Sequence, residues 1–314
     1  MFNVDIIIPT YKPGKELLTL LDRLCEQTLL PKKIIIMNTE KSEFSKNFTD
    51  EELKNRYNNV EIIISHISKN EFDHGGTRRK AVEEYSTSEL FLCMTQDAIP
   101  ADRTFLLELS RVFEKDENVA AAYARQLPRH DCSPEELYAR KFNYSVSPIR
   151  KTKKDIPVLG IKTFFCSNVS AMYRRQIYDK LGGFLKKAIF NEDMVYAGNA
   201  IKADYAICYV PTAGVVHSHN YSCSQQFHRN FDNGVSQAMH PEVFANIVSE
   251  SEGMKMVKGT VRYLQDIHKS YRIPYYILSV SSRYLGFRLG KMYKVLPKWF
   301  VKKCSLNKNF WNNR

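Results

Sequence analysis

Val4-Asp5-Ile6-Ile7-Ile8-Pro9-Thr10-Tyr11 opens the chain with aliphatic side chains at four of five positions, then stops at a proline and two hydroxyl-bearing residues. A short apolar run bounded in this way predicts a buried strand. Residues 16–27 follow with Leu17, Leu18, Leu21, Leu24 and Cys25 at spacings of three and four, which predicts a helix with one apolar stripe. Lys32-Lys33-Ile34-Ile35-Ile36-Met37 repeats the strand pattern and ends at Asn38-Thr39-Glu40. Strand, helix and strand in this order predict a parallel pair joined by a helical crossover.

Working outward, Val60-Glu61-Ile62-Ile63-Ile64 reads as a third strand, residues 77–85 as a helix, and Glu89-Leu90-Phe91-Leu92-Cys93-Met94 as a fourth strand running into Thr95-Gln96-Asp97. The alternation predicts an α/β fold with a mainly parallel sheet flanked by helices, whose ligands gather beyond the carboxyl ends of the strands. Farther on, residues 102–116 have helical spacing and residues 120–124 form a small-residue strand, while 128–155 are polar, basic and rich in loop formers. A helix is expected near 174–181 and another from Asn191-Glu192-Asp193. A strand over 205–210 is expected to stop at Pro211, with Val215-Val216-His217 as a separate strand.

With 314 residues, 44% of them hydrophobic, the chain can bury a large core, which excludes disorder as its main state. Lys and Arg number 46 against 34 Asp and Glu, a formal +12 that favours an anionic partner. No run reaches the roughly 18 to 20 apolar residues of a bilayer-spanning helix, and the first residues lack the pattern of a secretory leader, so a cytoplasmic location is expected. The seven cysteines form no CxxC pair and read as reduced thiols.

From residue 253 on, fourteen Lys and Arg face a single acid, Asp266, and alternate with Tyr, Trp, Phe and Leu. We therefore divide the chain into a catalytic domain over residues 1–245 and a basic amphipathic helical region over 246–314. Such a region can lie in the headgroup layer of an anionic membrane, here the inner face of the cell membrane. Nucleic-acid binding and an ordinary solvated face of a packed helix are the competing readings.

Four segments carry chemistry. Asp97, beside Gln96 and just past a strand, has the placement and hard oxygen donors to hold a divalent cation against diphosphate oxygens. Gly75 and Gly76, followed by Arg78, stand at a helix start where backbone N–H groups and a cation attract phosphate. Their spacing matches neither the P-loop nor the dinucleotide fingerprint. Glu192 and Asp193 offer a general base and a neighbour that caps the helix or binds acceptor hydroxyls. His217 and His219 project to one side of an extended chain, suiting metal or phosphate, and Arg229 adds a cation. Each segment also has a plain structural reading as a cap, a turn or a surface charge.

The order of these motifs resembles the family 2 inverting glycosyltransferases of the GT-A fold over roughly residues 3–235. It rests on Pro9-Thr10-Tyr11, His74-Gly75-Gly76-Thr77-Arg78, Thr95-Gln96-Asp97-Ala98, Gly182-Gly183-Phe184, Asn191-Glu192-Asp193 and His217-Ser218-His219. Within the family the pattern is most similar to bacterial rhamnosyltransferases of surface-polysaccharide assembly. The resemblance implies a Rossmann-like sheet, a dTDP-L-rhamnose donor and a glycan or lipid-linked glycan acceptor. It assigns Pro9, Thr10, Tyr11, Asn38, Thr39, Gly75, Gly76, Arg78, Gln96, Asp97 and Arg229 to the nucleotide-sugar. Asp97 with His217 or His219 would hold Mg2+ or Mn2+, and Asp193 is placed as the base. A UDP-hexose or UDP-N-acetylhexosamine transferase of the same fold is the alternative; nucleic acid is not an expected partner, and an oligomer is compatible with the sequence. Three positions depart from the family pattern: Thr95 where a first acid is usual, Asn38-Thr39 in place of paired acids, and Arg79 where related enzymes often carry Asn.

Overall fold

In the computed structural model, which describes residues 2–245 and 250–312, the opening stretch is strand β1 (Val4–Tyr11), and the helix Lys15–Cys25 carries the chain to a parallel β2 (Lys33–Thr39). Leu17, Leu20, Leu21 and Leu24 bury one helix face against the sheet, as the spacing requires. β3 (Glu61–Ile67) and β4 (Leu90–Met94) add to either side, so the first half is parallel in the order β3-β2-β1-β4.

The second half mixes directions. β5 (Ile99–Pro100), β6 (Val119–Leu127), β7 (Ile149–Lys151), β8 (Ser170–Arg174) and β9 (Ala206–Val216) extend the order to β3-β2-β1-β4-β8-β6-β9-β5, with β7 on β9. β8 runs antiparallel to both β4 and β6, while β6 and β9 are parallel. Because β8 alone is reversed among the central strands, its first residues lie at the same edge as the last residues of β1, β2, β4, β6 and β9. One apolar cluster covers each face of the sheet, and a third joins Phe231 and Val235 to Val301, Cys304 and Phe310 near the C-terminus.

Two expectations change. Pro211 does not end a strand. β6 pairs Ala124 with Val210 and then Arg125 with Gly214, so residues 211–213 bulge out and one strand continues to Val216. The stretch 128–155 is also more ordered than its composition suggests: it holds the helix Pro134–Asn143, capped by Ser133, and β7.

The expected boundary at residue 245 adjoins 246–249, which lie outside the described residues. Beyond it, the helix Ile273–Lys291 packs lengthwise on Cys223–Met239. Gly286 and Gly290 lie so close to the Phe227 and Phe231 carbonyl oxygens that a Cβ at either would overlap them. Among the described residues no helix is long and apolar enough to cross a membrane.

Candidate active site

The carboxyl edge of the sheet collects the polar strand ends. At β1 and β2, Thr10 donates its hydroxyl hydrogen to Asn38 Oδ1 (3.1 Å), and Asn38 Nδ2 lies 3.0 Å from His66 Nδ1. His66 Nε2 lies in turn 3.1 Å from Asp50. Gln96 ties β1 to the loop after β4 by accepting from Tyr11 N (3.0 Å) and donating to Tyr11 O (3.2 Å), leaving the Tyr11 ring exposed beside Lys12 and Lys69. Thr39 is buried at the end of β2, and Pro9 sits near the end of β1.

Asp97 faces both histidines of the loop after β9. Its Oδ2 lies 3.2 Å from His219 Nε2 and 3.7 Å from His217 Nε2, and the two Nε2 atoms are 3.0 Å apart. His217 Nδ1 sits 3.2 Å from Gln126 Oε1, an atom that only accepts, so the ring proton is on Nδ1 and Nε2 presents a lone pair. Burial pushes the His217 pKa down to about 3, which keeps that ring neutral. Burial raises the Asp97 carboxyl, but the hydrogen bond from His219 and the proximity of His217 outweigh it and hold Asp97 well below the ordinary range. With His217 neutral, the His219 contact is the operative part of that effect. One anionic oxygen and two imidazole nitrogens converging within 4.8 Å, with one ring oriented from behind, fit a divalent cation. This group can hold a metal ion.

Asp193 stands on the first turn of the helix Glu192–Lys202, after Asn191 in the left-handed conformation (φ 61°) that Asn tolerates. Its Oδ2 accepts from Asn168 N and its Oδ1 from Met194 N, both at 2.8 Å. Burial and the adjacent Glu192 charge push the Asp193 pKa up to about 7, although both hydrogen bonds pull the other way. Glu192 points inward: its Oε1 accepts from Asn168 Nδ2 (2.9 Å) and pairs with Arg78 (3.1 Å), both side chains being 6% exposed. Burial raises the Glu192 carboxyl, yet Arg78, His74 and Asn168 together hold it below its ordinary value.

Two chains of contacts join the carboxylates. On one side Gln126 accepts from His217 and Arg140 and donates to Ser167 Oγ (3.0 Å), and the next residue, Asn168, holds Asp193. On the other, Tyr221 stacks on His219 (4.9 Å), and Arg229 lies over the Tyr221 and Phe190 rings at 5.4 and 4.7 Å. Phe190 meets His74, whose helix carries Arg78 to Glu192. Asp97 and Asp193 are thus linked through these intervening side chains.

The glycine pair behaves differently from the phosphate reading. Asp73 caps the helix His74–Glu84 by accepting from Gly75 N and Gly76 N, and the same carboxylate accepts from Ala188 N at 2.8 Å. Those N–H groups are thus already taken. A Cβ at Gly75 or Gly76 would meet the Leu185 or Lys186 carbonyl oxygen, so both glycines serve the close approach of that loop. Arg78 is buried in its ion pair, away from solvent. Arg79 donates to Gly182 O (2.7 Å) and Phe184 O (2.8 Å), anchoring the turn in which Gly182 and Gly183 take positive φ. Sequence reasoning missed Gln126, Asn168, His66 and Tyr221. Gln126 was findable as a polar residue at the end of a small-residue strand; the others carry no local signal.

Residues 5–182 match the glycosyl transferase family 2 profile. The chain is 38% identical over 315 residues to the O-antigen chain rhamnosyltransferase WbaN of Salmonella anatum, covering 100% of this chain and 97% of that protein. It is 37% identical over 312 residues to RfbN of Salmonella typhimurium, also an O-antigen chain rhamnosyltransferase, covering 99% and 96%. Among solved structures it resembles the mannosyltransferase PcManGT of Pyrobaculum calidifontis in complex with GDP-Man and Mn2+ (TM-score 0.59, 12% identity, 99% of this chain and 85% of that chain). It also resembles S. aureus TarS 1-349 in complex with UDP-GlcNAc (TM-score 0.54, 13% identity, 97% and 84%). The fold is the GT-A fold of these enzymes. A matching profile over more than half the chain, and relatives more than a third identical along their whole length, make this protein a member of glycosyl transferase family 2.

Proposed function

We propose that this glycosyltransferase moves rhamnose, with inversion, from dTDP-L-rhamnose to a lipid-linked or growing cell-surface polysaccharide. The rhamnosyltransferase names of both relatives support the sugar and the polysaccharide. The observation that carries the reaction type is the Gln126-Ser167-Asn168 connection, which sets the cation-competent group at Asp97 and the raised-pKa carboxylate of Asp193 along one strand edge.

In this reading the acceptor hydroxyl loses its proton to Asp193 as its oxygen bonds the anomeric carbon. The bond from that carbon to the diphosphate breaks, and the electron pair stays on the departing dTDP. A base with a pKa of about 7 suits this transfer near neutral pH. The N–H groups of Asn168 and Met194 fix the carboxylate's direction without saturating it. Pro9, Thr10, Tyr11, Asn38, Thr39 and Gln96 line the nucleotide end, and Arg229 adds positive charge beside the diphosphate. Asp97, His217 and His219 would hold a divalent cation, which when bound neutralises charge on the leaving diphosphate. Two imidazoles among three donors favour Mn2+ over Mg2+.

Residues 246–314 serve as the membrane-facing region on the inner side of the cell membrane. Met292, Val295 and Trp299 are half or more exposed beside Lys294, Lys298 and Lys302, a mixture suited to anionic headgroups. The test is a donor panel scored by release of free nucleoside diphosphate. Turnover of dTDP-rhamnose above every UDP-hexose and UDP-N-acetylhexosamine is expected; preference for a UDP-sugar refutes the reading.

A further inference from the structure

Beside the metal-competent group lies a cavity of about 370 Å3, inside the about 300–1,000 Å3 range of small-ligand sites. His219 belongs to both, so the cavity adjoins the reaction region. Its walls come from the start of the helix Pro134–Asn143 and the turn before it, the loop after β9 with the first turn of the helix Cys223–Met239, and the helix Ile273–Lys291 with Arg272 before it. The C-terminal helix therefore completes a wall that the family profile, ending at residue 182, does not cover.

Each acid of the lining is paired with a cation. Arg272 grips Glu135 with two bonds of 2.7 and 3.1 Å, Arg140 holds Glu136 at 2.6 Å, and Arg129 lies 3.3 Å from Asp131. Such walls offer many donors and acceptors, and the pairing of their acids removes most of the field those carboxylates would exert. Arg283 adds a buried Nε with no hydrogen-bond partner, a donor suited to a ligand oxygen. Tyr221 and Tyr275 supply flat apolar faces with polar ends. Paired acids, an unmet donor and aromatic faces suit a neutral, polyhydroxylated ring.

We propose that this cavity is the acceptor subsite and that its ligand is a neutral hexopyranoside at the growing end of the glycan. The assignment rests on the transferase reading above and deepens it. From Glu136 a continuous polar chain leads through Arg140 and Gln126 to His217, so the sugar side and the cation side are mechanically coupled.

The probes are methyl pyranosides of glucose, galactose, mannose, rhamnose and N-acetylglucosamine, followed by saturation-transfer NMR on the full chain with dTDP and Mn2+. At least one is expected to bind, with Tyr275→Ala and Arg283→Gln each weakening it tenfold or more. The thermal shift given by dTDP and Mn2+ is expected to match wild type in both variants, which also reports that they fold. Wild-type pyranoside binding in both variants, or no binding by any pyranoside, overturns the proposal. If the cavity behaves as expected but dTDP-rhamnose is not turned over, the donor reading fails and the sugar site stands. The reverse pattern removes the cavity alone.

Discussion

Replacing Asp193 by Asn separates the chemistry of this carboxylate from its contribution to stability. In the native protein its pKa is raised from 3.8 to about 7, so the folded state holds the proton more tightly than the unfolded chain. Between about pH 4 and 7 the unfolded chain is ionised at this position while the native one is protonated. Stability must then fall as pH rises, by about 1.4 kcal/mol per unit, and level off above pH 7. From pH 5.5 to 7 this amounts to at most about 2 kcal/mol. The Asn variant has no such term, but it gives up one of the two N–H acceptors, a constant cost of about 1 kcal/mol. Urea unfolding at pH 5.5 and 8 is therefore expected to show the variant gaining about 2 kcal/mol on the wild type across that interval. Turnover should drop about a thousandfold, within the range for losing a general base, with dTDP binding retained. Parallel stability curves, or turnover within tenfold of wild type, would refute the reasoning.

Gln126→Leu removes the acceptor that orients His217, so Mn2+ affinity by calorimetry should fall about 10- to 100-fold; unchanged affinity would show that Gln126 does not position the ring. Glu192→Gln leaves Arg78 buried without its counter-charge, and a loss of roughly 3–5 kcal/mol is expected in urea unfolding, against near-zero for a merely peripheral pair. Combining Trp299→Ser with Lys298→Glu and Lys302→Glu should abolish co-sedimentation with anionic liposomes while leaving the circular dichroism spectrum in place; undiminished binding would place the membrane contact elsewhere.

Much of the framework was legible because its causes are local. The aliphatic runs of β1, β2, β3 and β4 and the leucine spacing between the first two need no distant partner to be recognised. The position of Asp97, just past a buried strand, followed from the same reading. Pro211 misled because a proline within an extended run usually ends it; here the three residues of the bulge need no ladder N–H, so the strand tolerates it. Gly75-Gly76 misled for a different reason. A phosphate cradle and a close-packed helix start leave the same local mark, and the segment that distinguishes them, residues 185–188, lies over a hundred positions away.

The amino-acid pattern alone determined an α/β sheet whose polar strand ends carry the chemistry, since strand and helix periods are written in consecutive side chains. It also marked Asp97, Asp193, His217 and His219 as candidates. Only the tertiary structure decided which of them meet. The reversed direction of β8 brings Asn168 to the carboxyl edge, and Gln126, near the end of β6, then spans the gap between His217 and Ser167. Strand direction and cross-sheet register depend on pairings between residues far apart in the chain, and no local period encodes them.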